Sequence, residues 1–139
     1  MPQLTRRKKA LNLTTSAIGR LPLSPSGWSM SAFPAEGTTV HTNSPTGTLN
    51  LTGDGTNSAF ADQQVTGLEI GRKYAFSYTA SGYAFGALAV GTSQGDGSII
   101  NYAVLALGTN TVTFVATAAS LWIRFGNQGA TQVNVSGVA

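Results

Sequence analysis

The sequence predicts an all-β fold, a jelly roll or β-sandwich of eight or nine short antiparallel strands with an extended N-terminal arm. Three observations carry this prediction. Lys73 to Ala80 alternates, with Tyr74, Phe76 and Tyr78 on one face and Ala75, Ser77 and Thr79 on the other; that period of two marks a strand lying over a core. Turn clusters rich in Gly, Asn, Asp and Pro recur about every 8–12 residues, the spacing of sandwiches. Charged residues make up 9% of the chain, against roughly 25% in typical soluble domains. Small uncharged residues, with 17 glycines, fill much of the remainder, and no stretch competes as helix.

Residues 1–26 read as the arm. Arg6, Arg7, Lys8, Lys9 and Arg20 stand in the first twenty residues with no acid, a side-chain charge of +5. The rest carries Arg72, Lys73 and Arg124 against Glu36, Asp54, Asp62, Glu69 and Asp96, a charge of −2. The molecule is thus a basic arm on a mildly acidic body. Pro22 and Pro25 exclude regular helix there. Leu11, Leu13, Ile18, Leu21 and Leu23 leave two readings, a solvated tail or an extended arm laid against a partner subunit. The second is preferred, because those side chains can offset an ordering cost of ~1–2 kcal/mol per residue.

The body is expected to span residues 27–139. Gly27 to Ala32 opens it with Trp28 and Met30 on one face, and Phe33 to Gly37 turns. A short edge strand is expected at Thr39 to His41, then a turn at Asn43 to Gly47. Thr48 to Thr52 faces inward through Leu49 and Leu51. Ala59 to Val65 follows, with Phe60 opposed to Ala59 and Ala61. Lys73 to Ala80 and Phe85 to Thr92, joined through Ser81-Gly82, are expected to pair as a central hairpin. Ile99 to Leu107 is open between strand and one helical turn. Thr111 to Thr117 places Val112, Phe114 and Ala116 on one face. Ser120 to Gly126 points Leu121, Ile123 and Phe125 one way, Trp122 and Arg124 the other. Gln132 to Val138 closes the chain.

Several chemistries are poorly served. There is no Cys, one His and five carboxylates; no two carboxylates share a strand face, and no nucleophile-elbow motif occurs. Gly-rich segments such as GTSQGDG lack the Lys of a phosphate loop. No apolar run approaches the ~20 residues of a membrane helix, and no apolar h-region follows the basic residues, so neither a membrane segment nor a secretory signal is expected. His41 reads as a surface histidine. Asp54 and Asp96, in Gly-rich loops, read as turn residues rather than calcium ligands. No cofactor and no metal are expected.

From about Gly27 onward the chain resembles the small jelly-roll domains similar to carbohydrate-binding modules, which recur in bacteriophage tail, fibre and head-decoration proteins. The resemblance rests on GWS at 27–29, TLNLT at 48–52, GLEIGRKYAFSYTASG at 67–82, VGTSQGDG at 90–97, TNTVTFVAT at 109–117 and LWIRFGNQGATQVNVSGV at 121–138. Glycan-binding relatives often hold an acidic residue just before the last strand for structural calcium; GATQVNVS has none here.

The expected function is that of a non-enzymatic structural protein of a tailed-bacteriophage virion, as capsid decoration, head fibre or tail- or collar-attached component. Arg6, Arg7, Lys8, Lys9, Leu11, Leu13, Ile18, Leu21 and Leu23 would anchor it to a capsid, collar or tail protein, in many copies or as a homo-oligomer. Trp122 and Arg124 are candidates for host-surface glycan contact, an aromatic plane beside a guanidinium, and equally for packing; Tyr83 and Tyr102 are weaker candidates. A free-standing carbohydrate-binding module is the alternative, and a small coat protein with a genome-facing arm the second. Four basic residues with no interleaved aromatic make nucleic acid a poor partner.

Overall fold

The computed structural model describes residues 17–83 and 85–139. Among the described residues eleven strands form two sheets: β1 (Gly19–Arg20), β2 (Ser29–Phe33), β3 (Val40–Asn43), β4 (Thr48–Thr52), β5 (Ser58–Val65), β6 (Lys73–Gly82), β7 (Ala87–Gly91), β8 (Ile100–Val104), β9 (Gly108–Val115), β10 (Leu121–Asn127) and β11 (Val133–Ser136). The first sheet contains β3-β4-β11-β6 with β9 and β1 also against β6; the second runs β2-β5-β10-β7-β8. The inward faces meet as a jelly-roll-type β-sandwich, and the alternation in each strand sets which residues those are. Leu49 and Leu51, Phe76 and Tyr78, Leu121, Ile123 and Phe125, and Val133 and Val135 are all buried. The Phe125 ring sits at the centre, 5.5 Å from the rings of Trp28 and Tyr78 and 6.5 Å from Phe76.

Three expectations are corrected. The central hairpin does not exist: β6 continues through Gly82 into the first sheet, whereas β7 belongs to the second, paired with β10 and β8. Their aromatic and aliphatic faces meet across the core instead of lying side by side. Within Ile99 to Leu107, Ile100–Val104 form the edge strand β8. The count is eleven rather than eight or nine, and one pair, β1 with β6, is parallel.

The third correction concerns the arm. Its residues 1–16, with Arg6, Arg7, Lys8, Lys9, Leu11 and Leu13, lie outside the described residues. Residues 17–26, however, belong to the body. β9 occupies one edge of β6 from Lys73 to Ala80. β11 pairs with the other edge from Thr79 to Gly82, and Ala139 extends that contact to Ser77. The open remainder of this edge receives β1, with Leu21 donating its N–H to the Ala75 carbonyl at 3.0 Å. Leu21 is 1% exposed, so it is not available to anchor a partner, and Leu23 is partly buried against the core. Ile18 remains exposed. The side-chain amide of Gln63 completes the docking, accepting from Ser24 N at 2.7 Å and donating to Ser24 O at 2.9 Å.

Candidate functional site

The outward face of the second sheet is read from its registers. Trp122 lies opposite Gln64 of β5 and Gly91 of β7; Arg124 lies opposite Asp62 and Ala89; Gly126 lies opposite Phe60 and Ala87. Trp122 and Arg124 therefore project away from Leu121, Ile123 and Phe125, as the alternation predicts. Trp122 is half-buried.

Arg124 is held within the fold. Its Nε donates to Asp62 Oδ1 at 2.6 Å and its Nη2 to Oδ2 at 2.8 Å, a bidentate fork that gives both strength and orientation. The guanidinium lies 3.9 Å from the centroid of the Phe60 ring, which supplies cation–π attraction and keeps water from that side. Burial opposes the charge, but the hydrogen bonds and charge of Asp62 outweigh it and lift the Arg124 pKa above its ordinary value. Asp62 has no exposed surface, and Gln94 Nε2 donates to its Oδ2 at 3.0 Å.

The β7–β8 loop is strapped over the same pair. Arg124 Nη1 donates to Tyr102 Oη at 3.2 Å, and that hydroxyl donates to the Gly95 carbonyl at 2.6 Å. Gly95 has φ +78°, and a Cβ there would stand 2.8 Å from Arg124 Nη1, so only glycine permits this approach. Tyr102 itself has φ +49°, an uncommon conformation for a large residue. It is 39% exposed, so its ring is presented while its hydroxyl is tied down.

Tyr83 sits elsewhere, at the end of the sandwich where β6 leaves for β7. Its ring is 5.5 Å from that of Phe85, which is 70% exposed, beside a notch lined by Gly55, Gln128 and Gly129. The structure thus groups Trp122, Arg124 and Tyr102 and leaves Tyr83 apart. Asp62, Phe60 and Gln94 were missed in the sequence. For Asp62 and Phe60 the signal was the pattern SAFADQQV, where a carboxylate shares the face of an aromatic opposite two alanines; Gln94, in the β7–β8 loop, left none. A separate cleft of about 520 Å³ lies where Leu23, Pro25, Trp28, Thr48, Ser136 and Val138 converge.

Each carboxylate has a partner inside the fold. Glu36 bonds His41, which is half-buried rather than on the open surface. Glu69 pairs with Arg72 at 3.7 Å. Asp54 Oδ1 accepts from Thr56 N and Asn57 N, and its Oδ2 from Thr38 N and Asn57 Nδ2. These bonds, that of the Asn57 side chain foremost, hold its carboxyl far below the usual range. Asp96, bonded chiefly by the Ser98 side chain, is also lowered. Both are turn residues. No group of three or more His, Cys, Asp or Glu that could hold a metal occurs among the described residues.

The two-sheet order is that of a β-sandwich, a fold shared with carbohydrate-binding modules. Tailspike protein 4 of bacteriophage CBA120, in its enzymatically active domain, is similar in structure, with a TM-score of 0.58 at 14% identity. The match covers 83% of this chain and 19% of that one, so the present chain spans about a fifth of the tailspike chain. A CBM4 structure matches with a TM-score of 0.50 and 20% identity, over 84% of this chain and 94% of that chain. TmCBM61, solved with β-1,4-galactotriose, is more distant, at a TM-score of 0.48 and 15% identity over 86% of this chain and 97% of that one. No protein-family model matches the sequence. No curated protein matches it either.

Proposed function

We propose that this chain is a non-catalytic display module of a tailed-bacteriophage particle, held by residues 1–16 and presenting the outer face of its second sheet to surface glycans. The observation that carries the recognition reading is the Asp62–Arg124 pair beneath that face. Arg124 ties down the Tyr102 hydroxyl, and Trp122 projects from β10 two residues away on the same outward face, so paired strands present two partly exposed aromatics. An indole plane on a rigid sheet can stack on a pyranose ring, with Gln64 beside it to meet hydroxyls. Arg124 has the supporting role, because both faces of its fork are taken. The partnered carboxylates favour a non-catalytic module, since glycoside cleavage ordinarily needs a free carboxyl pair about 5–9.5 Å apart. The particle setting is supported by the fold shared with a tailspike domain and by the basic charge concentrated before the body begins. A free-standing module is the second reading, favoured by the match over nearly the whole CBM4 chain.

The test has two arms. On a glycan array the intact chain should bind, and Trp122→Ala should weaken the captured ligand by about tenfold, ~1.4 kcal/mol. Deleting residues 1–16 should leave that binding intact while removing the protein from particles. Full particle occupancy of the truncated chain would discard the anchoring role. An intact chain that captures no glycan would discard recognition.

A further inference from the structure

We propose that the free edge of β9 is an interface, and that a second copy of this chain occupies it in antiparallel, two-fold pairing. The unpaired backbone groups follow from the ladder. Ser77 exchanges both backbone bonds with Ala139, and the Ala75 carbonyl accepts from Leu21. The odd residues of β6 therefore address β1 and the chain end, and its even residues address β9, because alternate residues of a strand point to opposite edges. The facing pairs are Tyr74 with Phe114, Phe76 with Val112, Tyr78 with Asn110 and Ala80 with Gly108. Thr109, Thr111, Thr113 and Val115 consequently turn their N–H and C=O groups outward. All four are exposed, and none has a backbone partner among the described residues.

Among the described residues the other edge strands are blunted in ways known to deter pairing, and β1 has only two residues. β3 has four residues and carries the His41–Glu36 pair. β2 has five and runs directly into Pro34. β8 has five, an irregular register against β7, and the left-handed Tyr102. β9 has eight residues, GTNTVTFV, with no charge, no proline and no register shift against β6. It is a regular, neutral pairing template.

The pattern fits its own copy. With the two-fold axis at Val112, Thr111 faces the partner's Thr113 and Thr109 faces the partner's Val115. Every outward N–H and C=O of the four residues then meets a complement, and each side chain stays on its own face. Thr–Thr neighbours are favourable cross-strand pairs. This row is already ordered, with Thr111 bonded to Ser77 and Thr109 to Thr79, each at 3.0 Å. Leu107 and Val115 flank the strand, each 46% exposed, and antiparallel pairing brings the Leu107 end of one copy to the Val115 end of the other. With no charge on the strand, no like charges are forced together. A closed isologous contact results.

The test uses the full chain in sedimentation. The wild type should sediment with twice the monomer mass. Thr111→Lys with Thr113→Lys sets lysines opposite one another and should give a monomer with unchanged circular dichroism. Mixing it with Thr111→Glu/Thr113→Glu should restore the doubled mass. The chain has no native cysteine, so Val112→Cys should cross-link to itself on oxidation and Thr109→Cys should not. A wild type that is monomeric at its highest soluble concentration would overturn the proposal. So would a dimer that the lysines leave intact, including one lost only when residues 1–16 are removed.

Discussion

Asp62 and Arg124 face each other across β5 and β10 with both forks filled, and Asp62 has no contact with solvent. Removing one charge from such a pair leaves the other desolvated and unpaired, which costs about 3–5 kcal/mol. Arg124→Ala should therefore lower the urea-unfolding free energy by that amount. The double change Asp62→Leu with Arg124→Met should recover most of the loss, because apolar isosteres remove both desolvation costs. A double variant no more stable than Arg124→Ala would show that the pair is not energetically coupled. In sequence, Arg124 was legible as lying on the face opposite a core, whereas Asp62 was not singled out and their pairing was not legible. They are 62 positions apart, and no local period links one strand to another. Of the two roles the sequence left open for Arg124, glycan contact and packing, its bonds to Asp62 and Tyr102 are packing.

At the scale of elements, Asp54 clasps two turns. It lies between β4 and β5 and takes Thr38 N from the β2–β3 turn at 3.1 Å, while Asn57 Oδ1 accepts from Ala35 N at 3.0 Å. Its folded pKa is depressed, so the unfolded chain binds the proton first. The stabilisation is therefore present above the unfolded carboxylate pKa of about 4 and is lost as pH falls through the folded value. Wild-type unfolding midpoints should drop between about pH 5 and pH 2, with early loss of hydrogen-exchange protection at Thr38 and Asn57. Asp54→Asn should be less stable at neutral pH and flatter across that window. Equal slopes for the two proteins would place the acid sensitivity elsewhere. Asp96 contributes in the same direction.

For the whole molecule, the question is where the body begins. Deleting residues 1–16 should leave the melting temperature unchanged. Deleting residues 1–23 removes β1 and the 1%-exposed Leu21 and should cost at least the ~2–5 kcal/mol of emptying a buried leucine site. Equal stability of the two truncated chains would return residues 17–23 to the arm. Composition could not place this boundary, because an apolar residue without period looks the same against a partner as against its own core. Only the vacant stretch of β6 and the Gln63 amide decide it.

The sequence by itself determined the all-β class, most strand positions and nearly every inward-facing side chain, since a period of two is local and a core accepts only one face of each strand. Phe76, Tyr78, Phe114, Leu121, Ile123 and Phe125 are buried as that period requires. Tertiary structure alone decided which sheet each strand joins, which edges stay open and what Arg124 touches. Those are contacts between distant segments, chosen by competition for the same edges and the same core volume, and that competition leaves no periodic trace in the chain.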